Sequence, residues 1–170
     1  VVLTQRVLPT LILFAAFGYY DWMDVAVFTT YILFRGLSSD LNHQLEDYER
    51  DRYTDTNTYA VRSGLHTAKK VFHFSLEAEK ILLILCLGTM YLKLPQYKVY
   101  GVSLLLPVLV VYIVLCGLTW WQIRSSDDGF DMNPFIPGRK DIFQFIHHTF
   151  PSVLMPLYLL LLLVYESWIF

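Results

Sequence analysis

Apolar residues run along this chain in stretches longer than the one-sided stripe of an ordinary soluble helix, and polar residues gather between the runs. That pattern predicts five helices, at about 1–20, 25–51, 64–93, 97–123 and 141–170. The first has Pro9 as a kink position and Gln5 and Arg6 near its start; a short aromatic turn, Tyr20 to Asp24, leads into the second. The second is purely apolar only from Val25 to Phe34, too short for a hydrocarbon core of about 30 Å. Arg35, Ser38, Ser39 and Asp40 are therefore expected at membrane depth or in a wet cavity, where ionisable groups are functional candidates. The third is amphipathic through HTAKKVFHFSLEAEK and apolar through ILLILCLGTMYL, sets Glu77 and Lys80 at i, i+3 to pair, and stops before Pro95. The fourth holds Pro107 and ends on Trp120 and Trp121, an aromatic belt. The fifth follows the loop SSDDGFDMNPFIPGRK and is expected to bend at Pro151 and Pro156.

Composition changes the picture from a helical protein to a membrane one. Across 170 residues, 55% hydrophobic and 16% aromatic content with a mean hydropathy of +0.44 point to an all-α, polytopic transmembrane helix bundle. A net charge of −2 with no basic stripe argues against a nucleic-acid partner. Cys86 and Cys116 sit in apolar runs without metal-ligand spacing and read as packing residues. No signal peptide is recognisable, and an apolar start without Met suggests the interior of a longer polypeptide. Arg6, Arg50, Arg52, Arg62, Lys69, Lys70, Arg124, Arg139 and Lys140 fall on one side of the predicted bundle, against Lys93 and Lys98 on the other. The positive-inside rule then makes the former side cytoplasmic and puts Glu166 near the opposite one.

On that cytoplasmic side lies the chemistry. The stretch DLNHQLEDYERDRYTDTNTYAVRSG, from Asp40 to Gly64, carries six carboxylates. In a helix continued through Asp51, Asp40, Gln44, Asp47 and Asp51 share one face at i, i+4, i+7 and i+11, with His43 one turn before Asp47. Stacked carboxylates repel unless a cation lies between them, and Mg²⁺ is typically held by one or two carboxylates plus substrate phosphates. Asp47, Asp51 and Asp40 are the metal candidates; a solvated acidic helix end is the alternative.

The order His43-Gln44-x-x-Asp47-x-x-x-Asp51-Arg52, then Thr58-x-Ala60-Val61-x-x-Gly64, resembles the second aspartate-rich motif of the UbiA superfamily of intramembrane prenyltransferases. The resemblance implies the second half of a nine-helix bundle, helices five to nine. It implies Mg²⁺-dependent transfer of a prenyl group from a prenyl diphosphate to an acceptor within the bilayer. Asp47 and Asp51 then hold Mg²⁺ as catalytic residues, Arg52, Arg62, Lys69 and Lys70 meet the diphosphate, and Gln44 and His43 join the substrate site, His43 as an orienting hydrogen-bond partner. Tyr53, with Tyr31, Phe34, Tyr48 and Tyr59, is available to wall the allylic cation. Two departures stand out. Asp55 occupies a place where the family usually has Gly, so a turn with φ > 0 is expected there or an added ligand. The first aspartate-rich motif is absent, which makes an amino-terminal half a required partner.

Other features take plainer readings. Arg35 is expected to pair with Asp40 or Glu77, and Glu46 with Arg50. His147 and His148 are adjacent and so do not face one another on a helix, and Asp127 to Asp131 lacks EF-hand spacing. A CDP-alcohol phosphatidyltransferase is disfavoured because position 44 is Gln and no DGxxAR precedes Gly36. A transporter using Arg35, Asp40 and Glu77, a non-catalytic scaffold and a UbiA-related terpene cyclase remain as alternatives.

Overall fold

The computed structural model describes residues 2–93, 98–99, 102–125 and 145–169. These residues are helical apart from one short ladder and a few turns, so the all-α expectation holds. The chain forms two compact units, Val1–Cys86 and Leu87–Phe170.

In the first unit, α1 opens with a π-wound turn, Leu3–Val7, and continues as Leu8–Ala16 with Pro9 in its first α-turn, where the missing N–H costs least. It stops at Ala16 rather than near residue 20. Gly18 takes φ +66°, its N–H bonds the Ala15 carbonyl at 3.1 Å, and the Tyr19 N–H bonds the Phe14 carbonyl at 2.9 Å. This is the Schellman closure, which needs a left-handed residue just past the helix. Asp21 then caps α2, Trp22–Glu46, by accepting from the N–H groups of Met23 and Asp24 at 3.1 and 3.3 Å, so the second helix starts before its apolar run. The two helices approach closely at Gly36, where a Cβ would lie 2.5 Å from Val2 Cγ1 and 2.8 Å from Arg6 Cδ.

Two short helices, α3 (Tyr48–Tyr53) and α4 (Tyr59–Ser63), connect α2 to α5, Leu65–Lys93. Within the first unit α5 buries Ala68, Phe72, Ser75, Leu76, Glu79, Lys80, Leu83 and Cys86, a stripe spaced by threes and fours.

In the second unit, β1 (Lys98–Val99) pairs antiparallel with β2 (Val102–Ser103). The fourth helix, α6, is Leu106–Ser125. It begins about nine residues later than the apolar pattern suggests, and Pro107 therefore falls in its first turn rather than its interior. The last helix, α7, is π-wound over Phe145–Leu154, with Pro151 inside, and α-wound over Met155–Ile169. Tyr112 stacks on Phe150 with centroids 5.5 Å apart, and the Tyr158 hydroxyl donates to the Leu104 carbonyl at 2.5 Å.

Among the described residues, no helix is long and apolar enough to cross a membrane. The windings of α1 number five and nine residues, at most about 21 Å against a core of about 30 Å. Charged Asp24, Arg35 and Asp40 interrupt α2, and Glu77, Glu79 and Lys80 interrupt α5. Pro95, the loop from Asp127 to Asp131, Arg139, Lys140 and the start of the fifth segment at 141 lie outside the described residues, as do the side chains of Lys98, Trp121, Arg124, His147, His148 and Glu166.

Candidate functional site

The carboxylate stretch is not one straight helix. Asp47, at φ −88° and ψ 1°, marks a bend between α2 and α3, and the expected face is split: Asp40 and Gln44 belong to α2, Asp51 to α3. The backbone ladder nevertheless carries through, since the Asp47 N–H bonds the His43 carbonyl at 3.0 Å and the Asp51 N–H bonds the Asp47 carbonyl at 2.8 Å. Asp47 and Asp51 thus remain one turn apart, both half-buried.

Beyond them the chain reverses through a second Schellman closure. The Thr56 N–H bonds the Asp51 carbonyl at 2.8 Å and the Asp55 N–H bonds that of Arg52 at 3.4 Å, with Asp55 at φ +54°. The left-handed turn expected at Asp55 is present, and Asp tolerates it at some cost. Thr58 then caps α4 by accepting from the Val61 N–H at 3.4 Å. Gln44, on α2, reaches across to accept the Ala60 N–H at 3.1 Å, and Ala60 is fully buried beneath it. Gln44 therefore binds the loop with its amide oxygen. Gly64, at φ +83° and ψ 150°, turns the chain into α5 with open space around it, so backbone conformation and not crowding calls for glycine.

The charges around this turn are mostly in solvent. Arg50 Nη2 donates to Asp47 Oδ2 at 2.7 Å, and His43 Nδ1 lies 3.7 Å from Glu46 Oε2. In place of the anticipated Glu46–Arg50 pair stand two i, i+3 contacts. Arg52, Arg62 and Lys70 are exposed and Lys69 half-buried. Tyr53 is 92% exposed, so within this unit it walls nothing; Phe34 instead packs edge-on to Phe74 at 5.8 Å.

Among the described residues, no group of three or more His, Cys, Asp and Glu side chains is placed to hold a metal. Asp40 lies seven residues before Asp47, about 10 Å along the helix, and does not join the pair. Two carboxylates one turn apart still fit an Mg²⁺ ion that completes its shell with water and phosphate oxygens. Arg50 engages only one oxygen of Asp47, so ligand capacity is left.

A second polar constellation lies between α2 and α5. Among the described residues the ion pair found for Arg35 is with Glu79 rather than with Asp40 or Glu77: its Nη1 donates to Glu79 Oε1 at 2.5 Å, and the Ser38 hydroxyl donates to Glu79 Oε2 at 2.6 Å. Glu79 is 0% exposed, and Tyr31, one turn before Arg35, is buried. Lys80 and Glu77 do form the i, i+3 pair expected of them, at 2.5 Å. Sequence reasoning passed over Glu79, and the available signal was its place on the buried stripe with Phe72, Leu76 and Leu83.

No protein family, curated protein or solved structure matches the chain.

Proposed function

We propose that the chain is the carboxy-terminal half of a UbiA-like intramembrane prenyltransferase, using Mg²⁺ to transfer a prenyl group from a prenyl diphosphate to an acceptor. The observation that carries this reading is the interlocking of the motif residues in one turn. Asp47 and Asp51 stand one helical turn apart, Asp55 takes the positive φ of a glycine site, Thr58 caps α4, and Gln44 holds Ala60. An acidic helix end in solvent needs none of these cross-links.

Asp47 and Asp51 are the residues to hold Mg²⁺, which supplies stabilisation for the charge that develops on the departing diphosphate. Arg52, Arg62, Lys69 and Lys70 are the donors for the remaining diphosphate oxygens. An amino-terminal half carrying the first aspartate-rich motif completes the site. Exposed apolar side chains support a bilayer setting: consecutive Leu11, Ile12 and Leu13 are 40, 58 and 58% exposed. Steps of 100° spread these three over more than half of the α1 circumference, wider than one protein face covers and natural for lipid. Exposed Tyr20 and Trp22 at the α1–α2 turn are suited to a membrane interface. In this setting the chain is part of a polytopic bundle with the carboxylate turn on the cytoplasmic side.

The test uses full-length protein in lipid with a labelled prenyl diphosphate and a panel of acceptors. Mg²⁺-dependent product formation that falls at least about 100-fold in folded Asp47→Ala and Asp51→Ala proteins is the expected result. Diphosphate release with a cyclised product and no acceptor adduct moves the assignment to a terpene cyclase. Full activity in both folded variants refutes the site.

A further inference from the structure

The carboxylate turn is a connection between two long helices, so its shape depends on how α2 and α5 are held along their axes. Two polar cross-links join the α2 limb to the limb beyond the turn: Gln44 to Ala60 at the turn itself, and Glu79 to Arg35 and Ser38 deeper down. The deeper link has a particular geometry. Each carboxylate oxygen of Glu79 is committed to a different α2 side chain, and those two side chains are three residues apart on one face. Sliding α5 by a single residue, about 1.5 Å, breaks at least one of these bonds inside a dry interface. The apolar neighbours Phe72, Leu76 and Leu83 set no such register, because hydrophobic contact is non-directional. Buried polar groups fix register between packed helices in this way.

From Arg35 to Asp47 is twelve residues of nearly continuous helix, and from Glu79 back to Lys70 nine. Both are stiff levers, so an axial slip at Glu79 is carried to the far end as a shift of Lys69 and Lys70 relative to Asp47 and Asp51. A misplacement of about 1 Å between groups that grip one reactant costs on the order of 100-fold in rate. We infer that Glu79 is a positioning residue: its clamp on Arg35 and Ser38 sets the spacing between the carboxylates of the turn and the cations at the head of α5. The inference rests on the prenyl diphosphate reading for its effect on turnover, but not for its effect on geometry.

The experiment therefore has two arms on the full-length protein in lipid. In the first, spin labels are placed at the exposed positions Tyr53 and Thr67, the buried Cys86 and Cys116 being inaccessible to the reagent, and the distance between labels is measured by pulsed electron resonance. Glu79→Gln is expected to shift or broaden that distance by 1.5 Å or more, on the order of one residue of rise, in protein that still unfolds cooperatively. The exchanged pair Arg35→Glu/Glu79→Arg is expected to narrow it again. In the second arm, kcat per folded molecule in Glu79→Gln is expected to fall about tenfold or more while KM for the diphosphate changes less. An unchanged label distance in folded Glu79→Gln overturns the inference whatever the activity. Wild-type kcat in that protein with only a lower Tm reduces Glu79 to a structural residue and overturns it too. A shifted distance in a protein with no prenyl transfer in the wild type sustains the positioning geometry and refutes the proposed function alone.

Discussion

Arg35–Glu79 and Arg50–Asp47 are both Arg–carboxylate pairs in the same compact unit, with N–O distances of 2.5 and 2.7 Å. Their surroundings separate them. The Glu79 side chain is 1% exposed and that of Arg35 17%, whereas Asp47 and Arg50 are 42 and 71% exposed. Out of water, each charge needs the other and the Ser38 hydroxyl besides, so the pair is obligatory once formed. In water the second pair contributes little and can exchange a partner for solvent, a metal ion or a phosphate. The seam between α2 and α5 suits holding, and the turn at the end of α2 suits binding.

Arg35→Met leaves the Glu79 charge buried without its guanidinium and is expected to destabilise the protein by about 3–5 kcal/mol, measured by reversible denaturation in mild detergent. A loss below about 1 kcal/mol in that measurement would show that the seam is hydrated and no different in kind from the turn. Next comes the left-handed residue of the turn. Asp55→Gly removes the Cβ penalty at φ +54° at the expense of a more flexible unfolded chain, and is expected to raise stability by roughly 0.5 kcal/mol in the same assay. A net destabilisation would mean that the Asp55 carboxylate makes a contribution of its own. Smallest of all, Arg50→Ala is expected to change stability by less than about 0.5 kcal/mol while freeing the second oxygen of Asp47. If turnover is Mg²⁺-dependent, that substitution should lower the Mg²⁺ concentration needed for half-maximal rate, and a raised requirement would place Arg50 among the groups that support the ion.

The difference between the two pairs also marks what a sequence shows. The turn at Asp55 and the Glu77–Lys80 pair were legible because each depends on residues a few positions away, where helix and turn geometry alone decide the contact. Gly18 and Asp21 carry equally local signals, a C′ glycine and an N-cap, yet the apolar and aromatic residues on either side of them, from Leu11 to Trp22, mask the boundary they set. Arg35–Glu79 spans 44 residues and was not legible. The sequence offered Asp40 and Glu77 as partners, and only the packing of α5 against α2 selects Glu79. The Gln44–Ala60 bond beside the bend at Asp47 likewise joins residues sixteen positions apart.

Hydrophobic runs and turn residues act over a few positions, and they are enough to make the chain all-α and to gather six carboxylates between Asp40 and Gly64. Packing in three dimensions selects which charges are buried together and brings α1 against α2 at Gly36. Those outcomes depend on the approach of segments distant in the chain, where a single charge taken out of water outweighs many local preferences.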